Sequence, residues 1–366
     1  MAVPLLDVAA QNLALAAELQ DAFTRVLHSG RYILGEEVSS FENESAARCG
    51  AVHGIGTSSG TDALLLALMS LGIGPGDEVL CPSFTFFATA GCIARTGATP
   101  VFVDSHADTF NLNAEDATAK VTDHTKAILP VHLFGQAANM TAIGQLAKAH
   151  SLYIIEDAAQ AQGATWEGIP VGGMGDFGAL SFYPTKNLGA LGDAGLLTTH
   201  NDALAERARV LRNHGMQPKY HHAHIGGNFR LDELQAALLR VKQTQLDEWI
   251  ALRTGNAAQY QSLLAGTPEL ILPAAAAGHS WNQFTVRLPN RERRDALAAH
   301  LHSSEIGNEI YYPEALHQQP CFAHLPTAAC PVAEQLADEV LSLPVFPEMT
   351  EAQIAEVTNS VSAFCA

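Results

Sequence analysis

Between residues 52 and 200, short apolar runs alternate with stretches of helical periodicity. The runs read VHGIGTSS, DEVLCPS, TPVFVDS, KAILPVHLFG, SLYIIEDAAQ, FGALSFY and GLLTTH. Each is nearly continuous in apolar residues, as a strand buried on both faces must be. Separated by helices, they predict a mostly parallel sheet covered on both sides. Ahead of them, Leu19, Phe23, Val26 and Leu27 recur at helical spacing within the stretch from Leu13 to Leu27. That helix should stop at Ser29-Gly30, where glycine can take the left-handed cap conformation. Behind the runs, Leu231, Leu234, Leu238 and Val241 begin a long helical pattern that continues through Leu246, Trp249 and Ile250. This pattern is expected to connect into a second domain. From about residue 256, helices mix with short strands such as QFTVRL, and the chain closes with SLPVFPEMT. The expected class is α/β, with a large domain over 1–250 that includes the N-terminal and connecting helices, and a smaller α+β domain over 251–366.

Composition narrows the functional classes. Apolar residues make up 48% of the 366 and charged ones 16%, which excludes general disorder. Lys and Arg number 20 against 38 Asp and Glu, a net charge of −18. A nucleic-acid backbone would meet a repulsive field, although one small anionic ligand would not. The six cysteines lack CxxC spacing and are too sparse for a disulfide scaffold, so they read as reduced thiols. No secretory leader opens the sequence, and no run of about 18 apolar residues occurs, so a cytoplasmic protein without a membrane partner is expected.

In a parallel sheet the ligand sits outside the carboxyl ends of the strands. The polar residues following the runs are therefore the candidates: Ser58 to Asp62, Ser83 to Phe87, Asp157 to Gln160, and Ser181 to Asn187. GIGTSSGTDALLLAL reads as strand, turn and helix, with free amides and the Thr61 hydroxyl forming an anion site at the helix entrance. Alone, it reads as an ordinary capped helix. It matches neither the GxxxxGK[ST] loop nor GxGxxG with a following acid, which lowers the nucleotide-hydrolase and dehydrogenase readings. In SLYIIEDAAQ, alternation sends Glu156 and Asp157 to opposite faces, so only one can meet a given ligand. Asp157 could be a helix N-cap or could pair with a protonated ring nitrogen. Lys186 in SFYPTKNLGALGDAG lies between an apolar strand and a glycine-rich turn. Alone it would read as a solvated surface charge, but a desolvated lysine loses its proton readily and can form a Schiff base. Lysine, phosphate cradle and strand-end aspartate are together what pyridoxal phosphate needs. The cluster His221, His222 and His224 has no carboxylate or thiolate at a helpful spacing, so no metal is expected there. GPGDEV reads as a turn launching a strand.

Taken together, GRYILGEEV, SSGTDALLLAL, GPGDEVLCPSFTFFATA, TKAILPVHLFGQ, IEDAAQAQGA, SFYPTKNLGALGDAG, NFRLDELQAALLRVK and YYPEALHQQP resemble, in order, the DegT-type (DegT/DnrJ/StrS) sugar aminotransferases over residues 5 to 350. The resemblance implies the three-layer α/β/α large domain of the PLP-transferase fold-type I. It implies that Lys186 forms the internal aldimine, Asp157 pairs with the pyridine nitrogen and Gln160 meets the ring hydroxyl. Phe86 would stack on the ring, while Ser181 and the Gly60 and Thr61 amides would take the phosphate. Asn228 would complete that cradle from the partner subunit of a homodimer. Arg230 would approach the nucleotide-sugar across the same interface, with Tyr311 and Tyr312 lining the sugar pocket.

The resemblance further implies transfer of an amino group from L-glutamate, released as 2-oxoglutarate, to a UDP- or dTDP-linked keto-sugar, for surface polysaccharide or glycoside biosynthesis. YPTKNLGALGDAG resembles members acting at carbon 3. Carbon-4 enzymes tend to carry a histidine two residues after the serine, where this chain has Tyr183. Two positions depart from the family pattern: Phe229 stands where relatives usually have the serine of NSRLDE, and Tyr311-Tyr312-Pro313 stands where many have His-Tyr-Pro. The rival readings are a 4-aminotransferase, a non-catalytic regulatory protein that keeps the pocket, a dehydratase and an acidic metal-binding protein. Lys186 argues against the regulatory protein and the dehydratase, since related dehydratases replace that lysine with histidine.

Overall fold

All seven apolar runs form strands of one sheet, in a computed structural model that describes residues 3–326 and 329–366. They are β1 (His53–Thr57), β2 (Glu78–Pro82), β3 (Thr99–Val103), β4 (Thr125–Ile128), β5 (Tyr153–Asp157), β8 (Phe177–Ser181) and β9 (Gly195–Thr199). Between β5 and β8, the short strands β6 (Thr165–Trp166) and β7 (Ile169–Pro170) pair only with each other. The order in the large sheet is β1-β9-β8-β5-β4-β2-β3. Strand β9 runs against both its neighbours, and the remaining pairings are parallel.

Alternation along the strands sorts side chains to two faces. Val79, Cys81, Ala127, Ile155, Ala179 and Leu197 join one hydrophobic cluster. Leu80 and Ile128, and also Leu180 and Leu196, join clusters on the other side. The sheet is thus the middle of three layers.

Helix Gly60–Leu71 fills the first face, with Ala63 through Leu68 all buried. Truncating one of its buried leucines would cost about 2–5 kcal/mol. It opens at Ser59, whose Oγ accepts the Asp62 amide at 3.1 Å, and stops at Gly72 with φ +76°. The N-terminal helix, Ala16–Ser29, ends at Gly30 in the left-handed conformation, as its sequence predicts.

The connecting pattern is split into helices Glu233–Gln243 and Leu246–Leu263. At the break the Thr244 and Gln245 amides reach back only three residues, to Val241 and Lys242, and the Thr244 hydroxyl takes the Val241 carbonyl at 2.8 Å. Apolar periodicity conceals the break because both helices bury a face. Beyond it, β10 (Phe284–Arg287) pairs antiparallel with β11 (Val340–Leu343). Tyr260, Phe284, Leu297, Leu341 and Val357 lie in a separate core there. Within SLPVFPEMT only Ser342 and Leu343 are strand; the rest leads to the capping box at Thr350. Ala315, Leu316, Phe322, Ala333 and Leu336 instead pack into the cluster on the first face of the large sheet.

Candidate active site

The carboxyl ends of the parallel strands gather the polar residues at one edge. Asp157 closes β5 and is buried on the side of Ile155, facing helix Ala88–Arg95. Its Oδ2 accepts the Thr89 hydroxyl at 2.9 Å and its Oδ1 accepts the Ala159 amide at 3.2 Å. Burial pushes its pKa above the usual carboxylate value, and Thr89, Ala159 and the Lys186 charge work against that rise. No helix follows it; Asp157 caps a turn.

Lys186 follows β8 in a turn closed by its own amide on the Tyr183 carbonyl at 2.9 Å. The next residue, Asn187, is buried and donates to the Ser280 carbonyl at 2.9 Å, fixing the turn from below. Burial pulls the Lys186 amine down to about 8, and the Asp157 carboxyl partly restores it. Its charge and the strand-end carboxyl of Asp157 act on each other.

Gln160 is buried beside them. The Phe134 amide can only donate, so the Gln160 atom 2.9 Å from it is the carbonyl oxygen, and the Gln160 amide nitrogen donates to the Tyr312 hydroxyl at 3.0 Å. Tyr312 also meets the rings of Phe84 and Phe86, with centroids 6.2 and 6.1 Å away. Phe86 itself is 56% exposed, a large apolar surface at the rim. Tyr311 stands beside Tyr312, and burial together with Glu309 and Tyr183 raises its phenol pKa.

At the entrance of helix Gly60–Leu71, the Gly60 and Thr61 amides have no hydrogen-bond partner among the described residues. A Cβ on Gly60 would lie 2.6 Å from the Ser181 Cβ, so only glycine lets the helix end approach β8 this closely. Two free amides at a positive helix end, a serine hydroxyl, a buried carboxylate and a low-pKa lysine fit a phosphorylated pyridine aldehyde.

Glu156 points the other way, as alternation requires. It accepts the amides of Gly172, Met174 and Gly175 and lies 3.0 Å from His132 Nε2. Burial opposes its charge, but His132 and these amides outweigh burial and hold its pKa below the usual value.

Asn228 and Arg230 flank Phe229, whose carbonyl accepts the Ser58 amide at 3.0 Å, so their segment runs along the β1 edge of the sheet. Asn228 is exposed, and Arg230 is bridged to Thr57 with its Nη1 on Asn213 Oδ1 at 2.7 Å. Among the described residues, no hydrogen bond or ion pair joins either one to Lys186, Asp157 or Gln160 within the chain. Phe229 between them turns inward onto the first-face core and onto Gly227. His221, His222 and His224 are exposed, and His222 Nδ1 is 2.9 Å from the His214 carbonyl.

Sequence reasoning missed Thr89 and the electrostatic influence of Tyr183 on the Tyr311 phenol. The threonine lies within the SFTFFATA string, on a helix starting at the same sheet edge, and that placement was the available signal.

An α/β/α sheet carrying a coupled lysine and aspartate beside a helix entrance defines a pyridoxal-phosphate-dependent aminotransferase of fold-type I. The chain belongs to the DegT/DnrJ/EryC1/StrS aminotransferase family, whose pattern it matches over residues 14–362. It is 48% identical to a pleiotropic regulatory protein of Geobacillus stearothermophilus, over 100% of this chain and 99% of that one. It is 46% identical to the dTDP-3-amino-3,4,6-trideoxy-alpha-D-glucose transaminase of Streptomyces venezuelae, over 98% and 95%. The UDP-N-acetyl-3-dehydro-alpha-D-glucosamine 3-aminotransferase of Acidithiobacillus ferrooxidans is 46% identical over 98% and 97%. Among solved structures, S. venezuelae DesV in complex with a ketimine intermediate superposes with a TM-score of 0.95 at 46% identity, covering 99% and 98%. A Bacillus subtilis relative with bound cofactor PMP gives 0.91 at 30%, covering 99% and 85%.

Proposed function

We propose that the protein transfers the amino group of L-glutamate to carbon 3 of a UDP- or dTDP-linked keto-sugar. The observation that carries this reading is the pairing of Lys186, with its pKa pulled to about 8, with buried Asp157 at a strand edge beside a free helix entrance. When bound, pyridoxal phosphate supplies an electron sink for the carbon that loses its proton.

The protein's own groups do the rest. With a pKa near 8, part of Lys186 is free amine near neutral pH, so it would hold the cofactor's aldehyde and could take and return a proton as a general base. Asp157, oriented by Thr89, would keep the cofactor's ring nitrogen protonated. Gln160, its oxygen already taken by the Phe134 amide, would offer its amide nitrogen to the ring hydroxyl, and Phe86 would cover the ring face. Ser181, with the Gly60 and Thr61 amides, takes the phosphate. Tyr311 and Tyr312 line the sugar side. Asn228 and Arg230, which no hydrogen bond or ion pair joins to Lys186 among the described residues, act in the partner's site of a homodimer. Glutamate and keto-sugar then use one site in turn.

Relatives named for 3-amino sugars, on dTDP and on UDP, support carbon 3. A regulatory relative gives a second reading, a binding protein that does not turn over. Lys186 in its coupled setting favours the enzyme. Mass spectrometry of the product from glutamate and a panel of UDP- and dTDP-linked 3-keto and 4-keto sugars tests the proposal. A product aminated at carbon 4, or none with any sugar, overturns it.

A further inference from the structure

We propose that His132 is a positioning residue that, braced on Glu156, holds Gln160 with its amide nitrogen facing the cofactor and so sets the protonation of the cofactor's imine. The inference rests on the reading above that Gln160 meets the ring hydroxyl.

His132 is fully buried, yet both its ring nitrogens and its backbone amide are hydrogen-bonded. Its Nδ1 lies 3.0 Å from the Ala138 amide, which can only donate, so that nitrogen carries no proton. The ring proton is therefore on Nε2, aimed at Glu156 Oε2 at 3.0 Å. Its backbone amide donates to the Asp157 carbonyl at 3.0 Å, and the Asp157 amide donates to Pro130 at 2.9 Å. One residue thus ties the segment 132–138 to both carboxylate-bearing positions of β5.

The middle of that segment is where Gln160 is anchored. Phe134 sits at φ +59°, a conformation a bulky residue adopts only when its surroundings hold it. Its amide takes the Gln160 oxygen at 2.9 Å. Asn111 holds the same turn from outside, accepting the Leu133 amide at 3.0 Å and donating to the Gln136 and Ala137 carbonyls. His132 holds its base. With the oxygen committed to Phe134, only the NH2 of Gln160 is left for the site, one hydrogen going to Tyr312. A donor there stabilises a negatively charged ring oxygen, which then holds the proton it shares with the imine less tightly. A freed amide could turn its oxygen to the site and lose that effect.

The test follows the visible absorbance of the cofactor-loaded protein as a function of pH, with melting curves and the PLP dissociation constant as controls. Gln160→Ala should raise the titration midpoint by about one unit, the size expected when a charged oxygen loses one donor. His132→Phe should raise it by about half a unit without touching the cofactor. His132→Gln, whose amide can still donate to Glu156, should recover most of the wild-type midpoint. In the Gln160→Ala background, His132→Phe should add nothing. If the phenylalanine variant does not fold, His132→Asn, which keeps an acceptor for Ala138 but is too short for Glu156, takes its place. The proposal is overturned if Gln160→Ala shifts the midpoint while the His132 variant titrates as wild type, or if the His132 shift persists undiminished without Gln160. An unshifted Gln160→Ala overturns the underlying reading of Gln160 instead.

Discussion

Glu156 and Asp157 are adjacent on β5 and serve opposite faces of the sheet: Glu156 gathers three loop amides and His132 beneath it, while Asp157 takes the Thr89 hydroxyl at 2.9 Å above it. Burial pushes the pKa of both upward, but with opposite net outcomes. Burial wins at Asp157 and raises its pKa, whereas at Glu156 the hydrogen bonds win. A buried carboxyl short of compensation is one that a cationic ring nitrogen can complete.

Asp157→Asn should leave PLP bound but slow the glutamate half-reaction by at least about 100-fold, because a neutral amide no longer favours the protonated ring. Thr89→Val, which removes only the orienting hydroxyl, should cost about tenfold, the rate equivalent of one hydrogen bond. Single-turnover absorbance with glutamate measures both. Near-wild-type rates in Asp157→Asn would leave Asp157 a structural turn cap.

Borohydride treatment of the PLP-loaded protein should fix the cofactor to the peptide containing Lys186. Lys242 has an amine also lowered to about 8 by burial, so it is the informative control. Its Nζ is tied to Asn12 Oδ1 at 2.9 Å, away from the strand edge. Recovery of the label on Lys242 would refute the assignment of Lys186.

The low pKa of Lys186 has a stability consequence in the cofactor-free protein. Between about 8 and the ordinary 10.5, the unfolded chain binds more protons at this lysine than the folded one, so its contribution makes stability rise with pH across that window. Below the window its burial penalty is constant. Lys186→Met should therefore melt higher than wild type at pH 7, by about 1–3 kcal/mol once partial exposure of the residue is discounted. The gap should close as pH rises toward 10.5. A gap independent of pH would mean the amine is not desolvated.

The seven strands were legible because a strand buried on both faces leaves an apolar run that little else imitates. That Asp157, Gln160 and Lys186 stand at or just beyond strand ends was legible because parallel topology puts the residues after such runs at one edge. The reversed direction of β9 was not, since a buried strand reads alike in either direction. Nor was the break at Thr244-Gln245, where apolar spacing carries through. Thr89 and His132 escaped for a different reason: each sits inside an apolar string, and its chemistry exists only once the fold sets it against a carboxylate distant in sequence.

Asn228 and Arg230 share a segment that runs beside β1. They follow Thr57 at the edge of the sheet, while Lys186 and Asp157 lie nearer its middle. Just across the same segment, the Tyr32 carbonyl takes the Glu233 amide and Ile33 bridges to Asp232, with Tyr32, Ile33 and Leu34 all exposed. Exposed apolar residues bound to the arginine's own segment suit a two-fold interface in which each subunit lends Arg230 to the other. Mixing Lys186→Ala with Arg230→Ala subunits, each inactive alone, should then restore about a quarter of wild-type sites after random exchange. Half the dimers are mixed, and each holds one site with both residues intact. Activity of the mixture against subunit ratio is the measurement, with native mass spectrometry to show that mixed dimers form. Mixed dimers without activity would place Arg230 in its own subunit's site, or outside the reaction.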